Sequence, residues 1–328
     1  MSTSSRPSTA IEPFTSDTLD GAAALLAERH RRQRLVEPAL DPVYETHLGA
    51  RLAIEAAIAA DRASGVIARR GDAIVGYLIG EQKDPSIWGE NVWIESAGHA
   101  ATEPTIVREL YAAIAGDWVA EGRRNHHVLV PATDTDLVDA WFGLDFGQQH
   151  VHAIREVPGQ SFGVVPRSEL IVRAPTHDDI DAIAELELVL PRHLRGSPVF
   201  STLTVQPFEE VRNEVAGDID DPTYQWFVAE HEGKVVASGI GCALTVSRGS
   251  TGPNRVPNAG FLAYAAVLPE ARGLGAGRAV SESILAWARD AGYPVIATDW
   301  RSANLEADRA WRGLGFRPTF RRMHRLIG

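Results

Sequence analysis

The sequence holds a single cysteine, Cys242, so it can form no intrachain disulfide, and zinc or redox sites built from several thiolates are excluded. A reducing, cytoplasmic setting is the expectation. Positive charge is also in short supply: 32 Lys and Arg stand against 43 Asp and Glu, leaving a formal charge of -11 and a pI near 5.5. Without a basic field to attract phosphates at long range, neither nucleic acid nor an anionic membrane is a natural partner. No apolar run approaches the roughly 18 residues that a membrane helix requires, and the Ser-, Thr- and Pro-rich stretch Met1 to Thr9 lacks the apolar core of a signal peptide. Residues 1–12 read as a disordered start, and a small molecule is the default ligand.

What the chain does have is length and repetition. Its 328 residues exceed the usual single-core range and suit two domains of roughly 150 residues. Ala140-Trp141-Phe142-Gly143-Leu144-Asp145-Phe146 returns as Ala310-Trp311-Arg312-Gly313-Leu314-Gly315-Phe316. Gly71 to Gly76 and Gly233 to Ser238 likewise each set a tight turn before an apolar strand. Two echoes in the same order imply two copies of one unit, residues 13–157 and 169–328, joined by a Pro- and Gly-bearing linker over 158–168.

In the second copy, hydrophobic periodicity predicts the order βααβββαβαβ. Leu170 to Arg173 is a strand, and Thr176 to Leu190 a helix opened by a capping threonine and early acidic residues. A helix over Gln206 to Ala216 precedes a hairpin turning at Gly233. Ala259 to Val267 is apolar except for Tyr264 and predicts a central strand buried on both faces. The last strand, Arg317 to Leu326, carries five basic residues and is expected near an edge of the sheet or at its end. The first copy repeats the order more faintly.

The central strand leads through Leu268-Pro269-Glu270-Ala271 into Arg272-Gly273-Leu274-Gly275-Ala276-Gly277 and a helix. Glycines allow close backbone approach, and the unpaired N–H groups of a first helical turn, with the helix dipole behind them, favour a diphosphate. Glycines alone could simply turn a strand into a helix. A dinucleotide-binding turn is disfavoured by the four residues between strand and Arg272, by a spacing that is not GxGxxG, and by the short chain left after Asp299. The segment resembles the cofactor motif of the GNAT superfamily of N-acetyltransferases, (Arg/Gln)-x-x-Gly-x-(Gly/Ala), with Arg272, Gly275 and Gly277 at its fixed positions. Downstream, Asn304-x-x-Ala307-x-x-x-Trp311-x-x-Leu314-Gly315-Phe316 resembles the same family's second motif.

The resemblance implies an α/β fold of two tandem GNAT-like domains, each a central mixed sheet flanked by helices. It implies that acetyl-CoA is the cosubstrate, bound by Ala266, Val267, Leu268, Arg272, Gly273, Leu274, Gly275, Ala276, Gly277 and Asn304, with Asn304 facing the pantetheine arm. A small amine would be the acceptor, acetylated by direct transfer in a ternary complex without a metal. In the family the strand before the cradle bulges from its neighbour, and pantetheine lies in the gap; Ala266 and Val267 would offer backbone groups there.

Trp311 departs from the family pattern, standing where many members have a tyrosine that protonates the leaving thiolate. Indole has no useful acidity, so Trp311 reads as a core or pocket-wall aromatic. Leu314 and Phe316 read as core, and Gly315 as a helix cap. A general base is required, because an ammonium cannot attack. Tyr264, Asp299 and Ser302 are the candidates, with Glu270 and His324 weaker ones, and the sequence does not choose among them.

At the place of the cradle the first copy reads Ser96-Ala97-Gly98-His99-Ala100-Ala101-Thr102-Glu103-Pro104, where Glu103 would repel a diphosphate. A degenerate N-terminal half is expected, a layout similar to that of mycothiol synthase. Two rivals to an acetyltransferase stand: a non-catalytic acyl-CoA sensor, suggested by Trp311 and the missing base, and a scaffold without ligand.

Overall fold

The structure is a computed structural model that describes residues 9–86, 89–157, 159, 169–247 and 249–328. Residues 1–8 of the predicted disordered start and nearly all of the predicted linker lie outside the described residues. Within them, no helix is long and apolar enough to cross a membrane.

Two mixed α/β units form, and they are not consecutive stretches of chain. One comprises Met1–Val151, Thr251–Pro257 and Pro318–Gly328; the other comprises His152–Ser250 and Asn258–Arg317. The elements of the first repeat are β1 (Ala10–Pro13), α1 (Leu19–Val36), α2 (His47–Ile58), β2 (Ala63–Arg70), β3 (Ala73–Ser86), β4 (Gly89–Ile94), β5 (His99–Ala101), α3 (Ile106–Ala120), β6 (Asn125–Pro131), α4 (Thr135–Phe142) and β7 (Gly147–Glu156). Those of the second are β8 (Ile171–Arg173), α5 (Ile180–Arg195), α6 (Phe208–Asp218), β9 (Tyr224–His231), β10 (Lys234–Ala243), β11 (Ala259–Val267), α7 (Ala276–Asp290), β12 (Val295–Arg301), α8 (Leu305–Gly313) and β13 (Arg317–Leu326). This second set has the predicted order βααβββαβαβ.

Local chemistry explains the helix starts. The Thr46 hydroxyl accepts from Gly49 N–H at 3.0 Å, and the Asp134 carboxylate from Leu137 N–H at 3.1 Å, so each satisfies a donor that the first turn leaves unpaired. Thr176 and Asp179 form a reciprocal capping box before α5. The two echoed segments are one helix-ending device. Phe316 N–H donates to Trp311 C=O at 3.0 Å and Gly315 N–H to Arg312 C=O at 2.9 Å, with Gly315 at φ 88°. Phe146 to Trp141 (3.3 Å), Asp145 to Phe142 (3.0 Å) and a φ of 63° at Asp145 repeat it.

In the first unit the sheet order is β1-β2-β3-β4-β6-β13, with β5 against β3. Strand β1 revises the expectation of disorder through residue 12: Ala10 to Pro13 pair with Arg69 to Val66, and their backbone finds partners that composition does not disclose. Strand β13 revises a second expectation. Its Phe320 to Leu326 pair antiparallel with Pro131 to Asn125 of β6, and Arg322 bonds Gln149 (2.9 Å) and His150 (3.1 Å) of β7. It is therefore an interior strand, its charge absorbed by neighbours rather than guarding an edge. Leu110, Tyr111, Trp118, Trp141 and Phe146 build the core on one face, and Leu26, Ile54, Ile67 and Tyr77 the core on the other.

In the second unit β12, β11, β10, β9 and β8 follow one another across the sheet. Helix α7 can lie close to β10 because Gly239 and Gly241 face it: added β-carbons would come within 2.6 Å of Val280 and 2.7 Å of Trp287. Helices α5 and α6 pack through Ile183, Leu188, Val211 and Val215 onto Trp226 and Val228 of β9.

Candidate active site

Strand β11 is the axis of the site. On one side it pairs with β10 from Gly260–Ala243 to Val267–Ala237, and Leu268 N–H donates to Val236 C=O at 2.9 Å. The register slips where Ile240 faces Tyr264 and Gly241 faces Leu262, so Ala263 is the extra residue of a β-bulge, and it is exposed. On the other side the parallel pairing with β12 covers only Ala259, Gly260 and Phe261, after which the Thr298 hydroxyl donates to Leu262 C=O at 3.0 Å. Both strands run on, but no further pair joins them among the described residues. The expectation of a strand buried on both faces is corrected here: Ala263 is exposed and Tyr264, Ala265 and Val267 are only half-buried, and from Ala263 to Val267 the edge toward β12 is left open.

The chain then turns through Pro269–Ala271 into α7. Gly273 and Gly275 have φ of 89° and 81°, a region costly to any residue with a β-carbon, and Gly275 caps the helix. In the turn, Leu274 N–H donates to Ala271 C=O and Ala279 N–H to Gly275 C=O. The N–H groups of Gly273, Gly275, Ala276, Gly277 and Arg278 take no acceptor among the described residues, so the helix start presents a fan of donors. Arg272 stands beside the fan, exposed, with Nη1 3.1 Å from Glu306 of α8.

The remaining predicted residues divide. Asn304 is buried and caps α8, its Oδ1 accepting from Ala307 N–H at 3.3 Å and lying 3.4 Å from His193 Nε2. Asp299 and Ser302 are half-buried on β12 and just beyond it, past the last β11 pair, which brings them to the splay. Tyr264 follows the bulge, but its hydroxyl donates to Leu186 C=O of α5. Burial, then the nearby Glu187, push the phenol well above its ordinary pKa. It is a structural strut and no base. Trp311 is buried edge-on against Phe316, at 6.1 Å and 78°, as a core aromatic.

Sequence reasoning missed Glu187. Its Oε1 is inaccessible and has no hydrogen-bond partner among the described residues, and burial, then Glu214 and Asp218 of α6, push its carboxyl up to about 7. Nothing in the amphipathic pattern of α5 distinguishes it from a surface glutamate.

The acetyltransferase (GNAT) family model matches residues 192–316, which include β11, the cradle and α8. This segment matches the GNAT family pattern. Over 62 residues, 19% of the chain, it is 42% identical to an aminoglycoside N(6')-acetyltransferase of Stenotrophomonas maltophilia, and the match spans 40% of that enzyme's length. Among solved structures, a GCN5-related N-acetyltransferase from Sphaerobacter thermophilus aligns over 96% of this chain and 94% of its own, with TM-score 0.59 and 12% identity. A glucosamine N-acetyltransferase region of a fungal multi-domain beta-N-acetylglucosaminidase aligns over 98% of this chain and 38% of its own, with TM-score 0.52 and 14% identity. At such identities the likeness is one of fold, and it extends over both repeats.

The first unit lacks the open edge of the GNAT segment. Strand β4 pairs with β6 from Asn91–Asn125 to Ile94–Val128, its full remaining length. The chain beyond it is tied down: the buried Arg29 guanidinium donates to the carbonyls of Ser96 and His99, Tyr77 hydroxyl to Ala97 C=O at 2.8 Å, and Ile79 N–H to Gly98 C=O at 2.7 Å. His99 Nε2 lies 3.0 Å from Leu129 C=O of β6, so side chains bridge the place where a splay would open. The first N–H groups of α3 are spent as well, Ile106, Val107 and Arg108 donating to Glu103, Pro104 and Thr105. Glu103 is itself paired with Arg70 at 2.8 Å.

Proposed function

We propose that the second unit is an acyl-CoA-dependent N-acetyltransferase that moves the acetyl group of acetyl-CoA to a primary amine of a small molecule, by direct transfer in a ternary complex. The observation that carries this reading is the splay of β11 from β12 leading straight into the donor fan of α7. The fan suits a diphosphate, with Arg272 as a mobile countercharge beside it. The open edge at Ala266 and Val267 offers backbone groups to an amide-bearing arm, and a donor there would polarise the thioester carbonyl. The carbonyl carbon is then attacked by the free amine, the C–N bond forms as the C–S bond breaks, and an amine proton ends on the sulfur. The acid for that last proton is not Trp311, whose indole is buried in the core.

The short match to an aminoglycoside acetyltransferase supports an amine acceptor. The net charge of -11 is consistent with a cationic one and with no nucleic-acid or membrane partner. The test is release of free CoA thiol from acetyl-CoA in the presence of a panel of alkylamines and amino sugars. Amine-dependent release is expected. Tight CoA binding without turnover on any amine would favour a sensor instead, and no thermal shift with acetyl-CoA would favour a scaffold.

A further inference from the structure

An ammonium must lose a proton before it can attack, and a buried carboxylate without a hydrogen-bond donor is costly to keep ionised. Glu187 meets both conditions from opposite sides. It sits on α5 next to Leu186, whose carbonyl is held by the Tyr264 hydroxyl, and Tyr264 is the residue of β11 that follows the bulge at Ala263. The strut thus sets the 186–187 turn of α5 against the strand where its open edge begins. Glu187 is half-buried as a residue, with its Oε1 inaccessible to solvent, and Ile183 and Ala184, one turn before it on the same face of α5, are buried. The charged and titratable groups that act on it are Glu214 and Asp218 of α6 and Tyr264 of β11, and none of them is a cation. Its Oε1 has no hydrogen-bond partner among the described residues.

We propose that Glu187 is the general base of the acetyl transfer, taking one proton from the acceptor's ammonium at the open edge of β11. The inference rests on the acetyltransferase reading of the second unit. The carboxylate accepts the proton and the nitrogen lone pair is freed. The amine attacks the thioester carbonyl, the C–S bond breaks, the sulfur leaves with a second proton from nitrogen, and protonated Glu187 returns its proton to solvent. Burial and the two α6 carboxylates tune this group to about 7, where it both accepts and releases a proton readily.

The experiment measures kcat/KM of the full chain with acetyl-CoA and its best alkylamine acceptor between about pH 5.5 and 9.5. The unaltered protein is expected to show an acid limb near pH 7. Glu187→Gln should lose that limb and fall by about 10²–10⁴-fold at neutral pH, with acetyl-CoA affinity by calorimetry unchanged. Glu187→Asp should recover part of the rate with the limb restored. Glu214→Gln combined with Asp218→Asn, which leaves Glu187 in place, should move the limb to lower pH. A Glu187→Gln profile that keeps the limb and the rate overturns the assignment, as does a limb that the α6 pair leaves unmoved. Failure of the unaltered protein to acetylate any amine, despite binding acetyl-CoA, would instead overturn the acetyltransferase reading beneath it.

Discussion

A β-carbon built on Gly277 would lie 2.8 Å from Cγ2 of Val267. The start of α7 therefore presses on the last residue of β11, and the donor fan opens directly off the splayed strand end. Gly275, two residues earlier, holds φ 81° at the cap. Gly275→Glu should abolish acetyl-CoA binding, since it sets bulk and negative charge among N–H groups that meet a pyrophosphate. Calorimetry on a variant with unaltered circular dichroism is the measurement, and unchanged affinity would remove the cradle assignment. Gly275→Ala should cost about 1–2 kcal/mol of stability through left-handed backbone strain alone.

Titration of the intact chain with acetyl-CoA should give a stoichiometry near one. Arg272 is exposed and bonded to Glu306, so it can swing to a phosphate, whereas Arg29 of the first unit is buried and committed to the carbonyls of Ser96 and His99. Arg272→Glu should eliminate binding, because it sets a second carboxylate beside Glu306 where an anion must dock. A stoichiometry of two, or residual binding that vanishes when His99 or Thr102 is changed, would make the first unit a working site.

Short-range chemistry was the legible part of this molecule. The glycine cradle, the capping Thr176 and the twin helix ends around Trp141 and Trp311 are local patterns, and their structural roles follow from spacing along the chain. What spacing could not show is pairing over long separations. Ala10 to Pro13 look like frayed chain until Val66 to Arg69 supply their partners. Strand β13 reads with the second repeat yet completes the sheet of the first. An apolar run such as Ala259 to Val267 reads as doubly buried, and only the bulge at Ala263 and the early end of the β12 ladder reveal the open edge. The candidate bases divide for a related reason. Tyr264 stood out as the polar residue of an apolar strand, and its polarity is spent on Leu186, while Glu187 stood in an ordinary helical pattern.

Trp311→Phe should keep turnover within about tenfold, since loss of general-acid catalysis costs about 10²–10⁴ and the buried indole has no such part. Its price in stability should be about 1–3 kcal/mol, from lost packing against Phe316. Steady-state kinetics paired with denaturant unfolding separates the two effects. A larger fall in turnover with the fold intact would show that the indole positions a substrate.

Glu187→Gln should raise stability above neutral pH. The folded carboxyl titrates at about 7, above its ordinary value of 4.5, so the folded state holds the proton more firmly. Stability is then lost as pH rises from about 4.5 to 7, at roughly 1.4 kcal/mol per pH unit, and the deficit persists above that window. Glutamine carries no charge to desolvate. Relative to the unaltered protein, the variant's denaturant midpoint should rise more at about pH 8 than at about pH 5, and an equal shift at both would mean that Glu187 is solvated.

Three histidines of the first unit set the opposite slope at lower pH. His99 Nε2–H donates to Leu129 C=O, His126 is held between Tyr111 hydroxyl (2.7 Å) and Arg123 C=O (3.0 Å), and His30 lies 2.8 Å from Asp41 C=O. Burial above all lowers them to about 3, 4 and 4 respectively, below the ordinary 6.5. They fold neutral. Between about pH 6.5 and 4 the unfolded chain binds protons that the folded chain refuses, so stability falls as pH falls through that window. Each histidine contributes up to roughly 1.4 kcal/mol per pH unit there, and three acting together can exceed the net stability of a typical domain. Thermal unfolding followed by tryptophan fluorescence, which reports Trp118 and Trp141 packed near these rings, should show the midpoint dropping steeply below pH 6.5. His126→Gln, which keeps a hydrogen-bonding side chain and cannot be protonated, should flatten the slope by about one proton's worth even if it lowers the midpoint at pH 8. An unchanged slope would show that His126 is already protonated in the folded state, and that burial in this unit is less complete than its geometry implies.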